Sequence, residues 1–229
     1  LLEYIKKELH HEKDLTGKKV LVTAGPTCEA IDPVRFISNH STGKMGYAIA
    51  RCAMERGAQV TLITGKTSVS KPPFMKVIEV VSAADMYEAV KEHMEESDFI
   101  IKSAAVADYT PEHVADEKIK KKESDMSISL IRTTDILKYV GEHRRKGQVI
   151  CGFAMETKDL IENATEKLIS KNVDMIVANN LKVTGAGFGT DTNVVTLVKK
   201  DEQRKLPLMT KDEVAKAILD EMLAMYKEA

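Results

Sequence analysis

Lys18-Lys19-Val20-Leu21-Val22-Thr23 runs directly into Ala24-Gly25-Pro26-Thr27. A short, β-branched apolar run that stops on a Gly-Pro turn signal reads as a buried strand. The loop after it is rich in Asp, Pro, Ser, Asn and His. Residues 43–57 then read as a helix, because Met45, Ala48, Ile49, Cys52 and Ala53 share one face and Gly57 stops it. Residues 60–64 form the next strand. Strand, helix and strand in this order is the unit from which a parallel sheet is built.

The same rhythm continues. Lys71-Pro72-Pro73 marks a loop, and 77–81 read as a third strand. Ser82-Ala83-Ala84-Asp85 reads as a capping box opening a helix to about residue 96. A fourth strand covers 98–103 (DFIIKS). Residues 104–129 break the pattern. They carry Glu117-Lys118-Ile119-Lys120-Lys121-Lys122 and a weak alternation over 126–131, which together predict a mobile flap. Regularity returns as helix 135–145, strand 148–153, helix 160–172 and strand 175–178. Gly185, Gly187 and Gly189 loosen the following loop. Residues 193–199 and 205–208 predict a hairpin, and Thr210-Lys211-Asp212-Glu213 opens a C-terminal helix to about residue 227.

Alternating strands and helices imply an α/β fold with both sheet faces covered. Right-handed crossovers make it a doubly wound, Rossmann-like and mostly parallel sheet, with a flap excursion and a C-terminal hairpin plus helix. Its ligand site belongs beyond the carboxyl ends of the strands, at 23–27, 64–65, 103–108, 153–157 and 178–180.

The 229 residues suit one sizeable domain, 17–229, preceded by a charged helix or linker, 1–16, in which Leu1, Ile5 and Leu9 share a face. Hydrophobic residues make up 43%, enough for a core. With 34 basic against 35 acidic residues the net charge is −1, which gives no general field for nucleic acid. No apolar run approaches the ~20 residues that span a bilayer, and the chain opens with no secretory pattern. Cys28, Cys52 and Cys151 are far apart, so neither a zinc site nor a disulfide framework is expected, and a reducing cytosol is the simplest compartment. The six histidines, His10-His11 included, show no metal or triad spacing.

Four segments can carry chemistry. In the first, Thr23–Thr27 with Gly43-Lys44-Met45-Gly46, the small residues Gly25, Gly43 and Gly46 let backbone N–H groups approach a phosphate at a helix start. The P-loop signature fails, since Ser38 stands where its first Gly belongs and Met45 where Ser or Thr belongs. A purely structural helix entry stays open. In the second, Asp32-Pro33-Val34-Arg35-Phe36-Ile37-Ser38-Asn39-His40-Ser41-Thr42, a cation, an amide and hydroxyls crowd one loop. Ordinary capping by Asn39, Ser41 and Thr42 competes with function there. In the third, Ala104-Ala105-Val106-Ala107-Asp108-Tyr109, small residues admit a flat base or acyl group and Asp108 can hold a metal–phosphate or a sugar hydroxyl, with turn capping as the alternative. The fourth is the lysine run at Lys118, Lys120, Lys121 and Lys122, either a solvated face or an arm that closes over a triphosphate. Lys167 and Lys171 lie on one helical face and can neutralise phosphates near a strand-end site.

TAGPT, IDPVRFISNHSTGKMG, AAVADY, EKIKKK, GFAMET and KLISKN together resemble phosphopantothenoylcysteine synthetase, over residues 18 to the C-terminus. The long SNHSTGKMG string makes a chance match negligible. The resemblance implies a Rossmann-like homodimer in coenzyme A biosynthesis, often the C-terminal half of a protein fused to phosphopantothenoylcysteine decarboxylase. Residues 1–15 resemble the linker after that half, which implies an excised domain, although the numbering can equally start there for no such reason. The implied reaction joins 4′-phosphopantothenate and L-cysteine through an acyl-cytidylate, releasing pyrophosphate and CMP. CTP is the usual nucleotide, ATP the alternative, and Mg²⁺ bridges the phosphates. By resemblance Lys118 contacts the triphosphate, Asn39 holds the acyl-nucleotide, and Arg35 and Ala105 place the acyl part. Ala104, Asp108, Thr134, Asp135, Ile136, Leu137, Phe153, Lys167 and Lys171 then bind the nucleotide. The sequence departs from the family at Cys28, commonly Arg, and at Thr134, commonly Pro.

Two other readings compete. A nicotinamide-dependent reductase would need a GxGxxG fingerprint, an acidic residue ending the second strand and a Tyr-x-x-x-Lys pair. The sequence has none of these; Thr64-Gly65 ends that strand and His113 follows Tyr109 by four. A non-catalytic module that binds a nucleotide or a decarboxylase would show no turnover.

Overall fold

Val20, Leu21 and Val22 are each at most 1% exposed although they point alternately to opposite faces, so the strand that carries them is covered on both sides. The computed structural model describes residues 1–10, 12–121, 125–156, 158–180 and 187–228. His11, Lys122, Thr157 and Gly185 of the sequence reading lie outside the described residues.

In chain order the elements are α1 (Leu2–Leu9), β1 (Lys19–Ala24), β2 (Glu29–Ala30), β3 (Phe36–Ile37), α2 (Lys44–Glu55), β4 (Gln59–Thr64) and β5 (Lys76–Glu79). There follow α3 (Ala83–Met94), β6 (Phe99–Lys102), β7 (Tyr109–Pro111), β8 (Leu130–Arg132), α4 (Ile136–Glu142), β9 (Val149–Glu156), α5 (Leu160–Ser170) and β10 (Met175–Asn180). The chain ends with β11 (Thr192–Asn193), β12 (Val195–Val198), β13 (Gln203–Lys205), β14 (Met209–Thr210) and α6 (Lys211–Glu228).

Eight strands form the main sheet in the order β13-β12-β10-β9-β6-β1-β4-β5. The six from β10 to β5 are parallel, and β12 and β13 add an antiparallel edge. From β1 the chain winds outward through β4 and β5, then returns to β6 and winds the other way. The switch point therefore lies between β1 and β6, where a doubly wound sheet leaves a crevice. Helices α2 and α6 cover the face carrying Val20, Val22, Leu62, Ile101 and Val177. Helices α3, α4 and α5 cover the face carrying Leu21, Ile63, Ile100, Ile150 and Ile176. Each of these fully buried aliphatic side chains contributes about 1.5–3 kcal/mol of transfer free energy.

The sequence reading is corrected at several boundaries; the third strand, for one, is Lys76–Glu79 rather than 77–81. Helix α4 ends at Glu142 rather than 145, because Arg144 pairs with Asp174 at 2.8 Å and Arg145 donates to the Glu95 and Ser97 carbonyls. Strand β9 runs to Glu156, beyond 153, in parallel register with β10. The second hairpin strand is Gln203–Lys205, not 205–208; Pro207 has no N–H to extend the ladder. Alternation over 126–131 yields only Leu130–Arg132, paired antiparallel with β7. The capping boxes at Ser82 and Thr210 form as expected. Among the described residues, no helix is long and apolar enough to cross a membrane.

Candidate active site

The loops leaving β1 and β6 are laced together at the switch point. Ala104 N–H donates to Thr23 Oγ1 at 3.2 Å, Ala105 N–H to the Gly25 oxygen at 3.0 Å, and Ala107 N–H to Thr27 Oγ1 at 3.0 Å. Thr27 N–H returns a bond to the Ala105 oxygen at 3.2 Å. From the far side, Thr133 donates its hydroxyl to the Ala107 oxygen at 2.6 Å and its N–H to the Asp108 oxygen at 3.0 Å. The Ala-rich segment is thus a braced wall.

Asn39 completes the brace. Its Nδ2 donates to the Ala105 oxygen at 2.7 Å, and its Oδ1 accepts from Ser41 N–H at 3.0 Å. The capping alternative for this loop is therefore partly realised: Asn39 and Ser41 satisfy local backbone groups while Asn39 also fixes the wall. Gly43, with φ +76°, lies so close to Gly25 that a Cβ would come 3.2 Å from the Gly25 nitrogen.

A cavity of about 740 Å³ opens against this wall. Gly43, Gly46, Ala104, Ala105, Asp108, Thr134, Asp135, Ile136, Leu137, Phe153, Lys167 and Lys171 all line it. On the α4/α5 side, Asp135 caps α4 through Lys138 N–H at 2.9 Å and pairs with Lys171 at 2.7 Å. Burial pushes the Asp135 carboxyl up, but the hydrogen bonds from Lys171 and Lys138 outweigh it and hold the group below its ordinary value. Lys167 donates to the Phe153 oxygen at 3.0 Å.

On the α2/α6 side, residues 187–191 are clasped from three directions. Thr42 Oγ1 donates to the Phe188 oxygen at 2.6 Å, and Lys44 reaches the Gly189 oxygen at 3.0 Å and Asp191 at 2.7 Å. Lys211 donates to the Gly187 oxygen at 3.0 Å and to the Thr190 oxygen. Gly187 and Gly189 therefore sit in a fastened loop, not the loose one the glycines predict. Burial, aided by Lys44, lowers the Lys211 pKa.

Four expected residues stand outside the lining. Gly25 lies behind Gly43, and Asn39 behind Ala105. Arg35 pairs with Asp32, Nε to Oδ2 at 2.9 Å, and its guanidinium also donates to the Ile119 oxygen at 3.1 Å. Asp32 Oδ2 accepts from Ile119 N–H at 3.1 Å, and Arg35 holds this carboxyl well below the usual range. The pair thus tethers the residue next to Lys118, which is itself exposed and does not line the cavity.

The sequence reading names neither Lys102 nor Lys211 as a site residue and reaches Asn179 only within the strand end 178–180; all three line the cavity. Lys102 was detectable as a charge inside an apolar strand. The residue is half-buried in the cavity wall, and desolvation together with Lys167 lowers its pKa to about 8. Asn179 is 4% exposed, and its Oδ1 has no hydrogen-bond partner among the described residues.

Residues 15–226 match the profile of the family described as DNA/pantothenate metabolism flavoprotein, C-terminal domain. The chain is 53% identical over 216 residues to the coenzyme A biosynthesis bifunctional protein CoaBC of Bacillus subtilis, covering 93% of this chain and 53% of that one. It is 46% identical over 227 residues to a cysteine/cysteine sulfinic acid decarboxylase of an unknown prokaryotic organism, covering 98% of this chain and 63% of that one. It thus spans between half and two thirds of these relatives' lengths. The solved C-terminal domain of CoaBC shares 46% identity and superposes with a TM-score of 0.82, covering 95% of this chain and 100% of that one. Braced alanine wall, switch-point cavity and the match over 15–226 agree, and the chain belongs to the DNA/pantothenate metabolism flavoprotein C-terminal domain family.

Proposed function

We propose that this domain forms the amide bond between 4′-phosphopantothenate and L-cysteine, using CTP to activate the acid. One carboxylate oxygen attacks the α-phosphorus and displaces pyrophosphate. The cysteine amine then attacks the acyl carbon and loses a proton, and CMP leaves with the oxygen that came from the acid. The observation that carries this reading is a cavity walled by Ala104 and Ala105 and faced by Asp108, Lys167 and Lys171, at the sheet's switch point. Small residues admit a flat base or an acyl chain, while lysines meet the charge that builds on phosphate.

In this reading Thr134, Asp135, Ile136, Leu137, Phe153, Lys167 and Lys171 hold the nucleotide, and Asn39, through the Ala105 wall, holds the acyl-nucleotide in register. Arg35 and Ala105 place the acyl part, and Lys118 meets the triphosphate from the segment that Asp32 and Arg35 tether. Among the described residues no group of three or more His, Cys, Asp or Glu could hold a metal ion. In this reading Mg²⁺ is an ion held mainly by the phosphates, with Asp108 of the cavity lining available to it, and it would supply charge neutralisation on the phosphates.

A second copy of the chain is the proposed partner. Val34, Phe36, Val114, Tyr109, Leu130 and Ile131 are exposed apolar residues on or beside the small ladders β2/β3 and β7/β8, which pack together. A face of this kind is suited to burial in a dimer. A phosphopantothenoylcysteine decarboxylase, which consumes the product, is the second partner, and the cytoplasm the proposed compartment.

The test is product analysis. Protein incubated with phosphopantothenate, cysteine, Mg²⁺ and CTP should release CMP and pyrophosphate in step with amide. CDP and phosphate, or carbon dioxide from cysteine with no nucleotide cleavage, would reject the reading. ATP in place of CTP settles the base.

A further inference from the structure

Four lysines line the α4/α5 side of the cavity, and three of them have protein partners, Lys138 with Glu142 at 3.7 Å among them. Lys171 is paired with Asp135 at 2.7 Å, and Lys167 donates to the Phe153 oxygen at 3.0 Å. The Lys102 side chain has neither a hydrogen bond nor an ion pair among the described residues, yet it lines the cavity.

The fold explains how it gets there. Lys102 ends β6 and stands in one parallel row with Gly152 and Ile176. Ile100 and Ile176 of this face pack with Ile136 and Leu137 of α4, so the Lys102 side chain rises on the α4/α5 side. Gly152 beside it leaves room: a Cβ there would meet Leu137 at 2.6 Å and Ile176 at 2.9 Å. A cation delivered by a central strand into a protein-lined space is costly unless something answers its charge. Asp108 and Asp135 attract it, but Asp135 is engaged by Lys171 and the α4 N-terminus, and Lys167 repels it. An anion between Lys102 and Lys167 would relieve both the desolvation and the repulsion.

We propose that Lys102 is an anion-binding residue of this cavity and takes a phosphate oxygen of the bound nucleotide. The identity of the ligand rests on the nucleotide reading above; the need for an anion rests on the geometry alone.

Anion binding should raise the Lys102 pKa, and hence draw a proton from solution near pH 8. Titration calorimetry at pH 8 in two buffers of different ionisation enthalpy, without the acid so that nothing turns over, reads this directly. Wild-type protein and Lys102→Met are each titrated with CTP, cytidine and inorganic pyrophosphate. Wild type should take up roughly half a proton with CTP. Lys102→Met should lose that uptake and bind CTP at least about 10-fold more weakly, with cytidine affinity unchanged. Its Tm should not fall, because the change removes a half-buried cation that has no side-chain partner among the described residues and keeps an unbranched chain.

CTP affinity and proton uptake unaltered in Lys102→Met would overturn the proposal and leave the nucleotide reading standing. Equal weakening of cytidine and CTP would also overturn it, since that marks a packing role. Lys102-dependent binding of pyrophosphate by a protein that ignores CTP would support the anion site and sink the nucleotide reading.

Discussion

The Asn39 side-chain amide donates to the Ala105 main-chain oxygen across 2.7 Å, joining two loops 66 residues apart. One comes from the β1–α2 connection and the other from the end of β6, so the bond spans the switch point itself. Because Oδ1 is held by Ser41 N–H, the amide has one orientation, and Nδ2 always faces the wall.

Asn39→Asp reverses that contact, setting a carboxylate oxygen against a carbonyl oxygen. Amide formation should fall by about 10²-fold or more, while pyrophosphate release in the absence of cysteine falls less. Rapid-quench measurement of the two steps checks this; equal loss in both would remove Asn39 from the role of holding the intermediate.

Lys118→Gln should slow pyrophosphate release by about 10-fold or more and leave Tm unchanged, because the side chain is exposed. Single-turnover kinetics with CTP decide the matter. An unaltered rate makes this lysine part of a solvated surface.

Gly46→Ala brings a Cβ to 2.6 Å from the Ala24 Cβ and 3.0 Å from the Thr23 oxygen. Helix α2 must then move off β1, and urea unfolding should show a loss of about 1–3 kcal/mol. A variant as stable as wild type contradicts this close approach.

The parallel sheet was legible because strands buried on both faces must be continuous apolar runs, as Val20-Leu21-Val22 and Phe99-Ile100-Ile101 are. From alternation of strands and helices the switch point follows, and with it the position of most of the cavity lining. The small ladders β2/β3 and β7/β8 were not legible. Their two or three residues carry no period of their own, and contacts such as Asp32 with Ile119, 87 residues apart, hold the surrounding loops. Lys44 reads as part of a helix entry and Lys211 as part of a capping box; only the fold brings Lys44 to Asp191, 147 residues away, and Lys211 to the Thr190 oxygen of the same loop. Lys118 shows the converse, since a motif placed it at the site and the structure leaves it exposed beside a tethered neighbour.

Asn179→Leu tests the other side of the cavity. Its Oδ1 is buried without a partner among the described residues, a condition that costs about 1–3 kcal/mol. Leu has a similar shape and no polar atom, so the variant's Tm should equal or exceed that of wild type. A clear drop in Tm would show that this oxygen is bonded in the folded protein.

The central claim is that the acid is activated by its own oxygen attacking the α-phosphorus of CTP. Phosphopantothenate labelled with ¹⁸O in its carboxylate tests this in one turnover. The account predicts one ¹⁸O in the phosphate of CMP for each amide formed, read by mass spectrometry. Label in inorganic phosphate, with CDP as the nucleotide product, would contradict it.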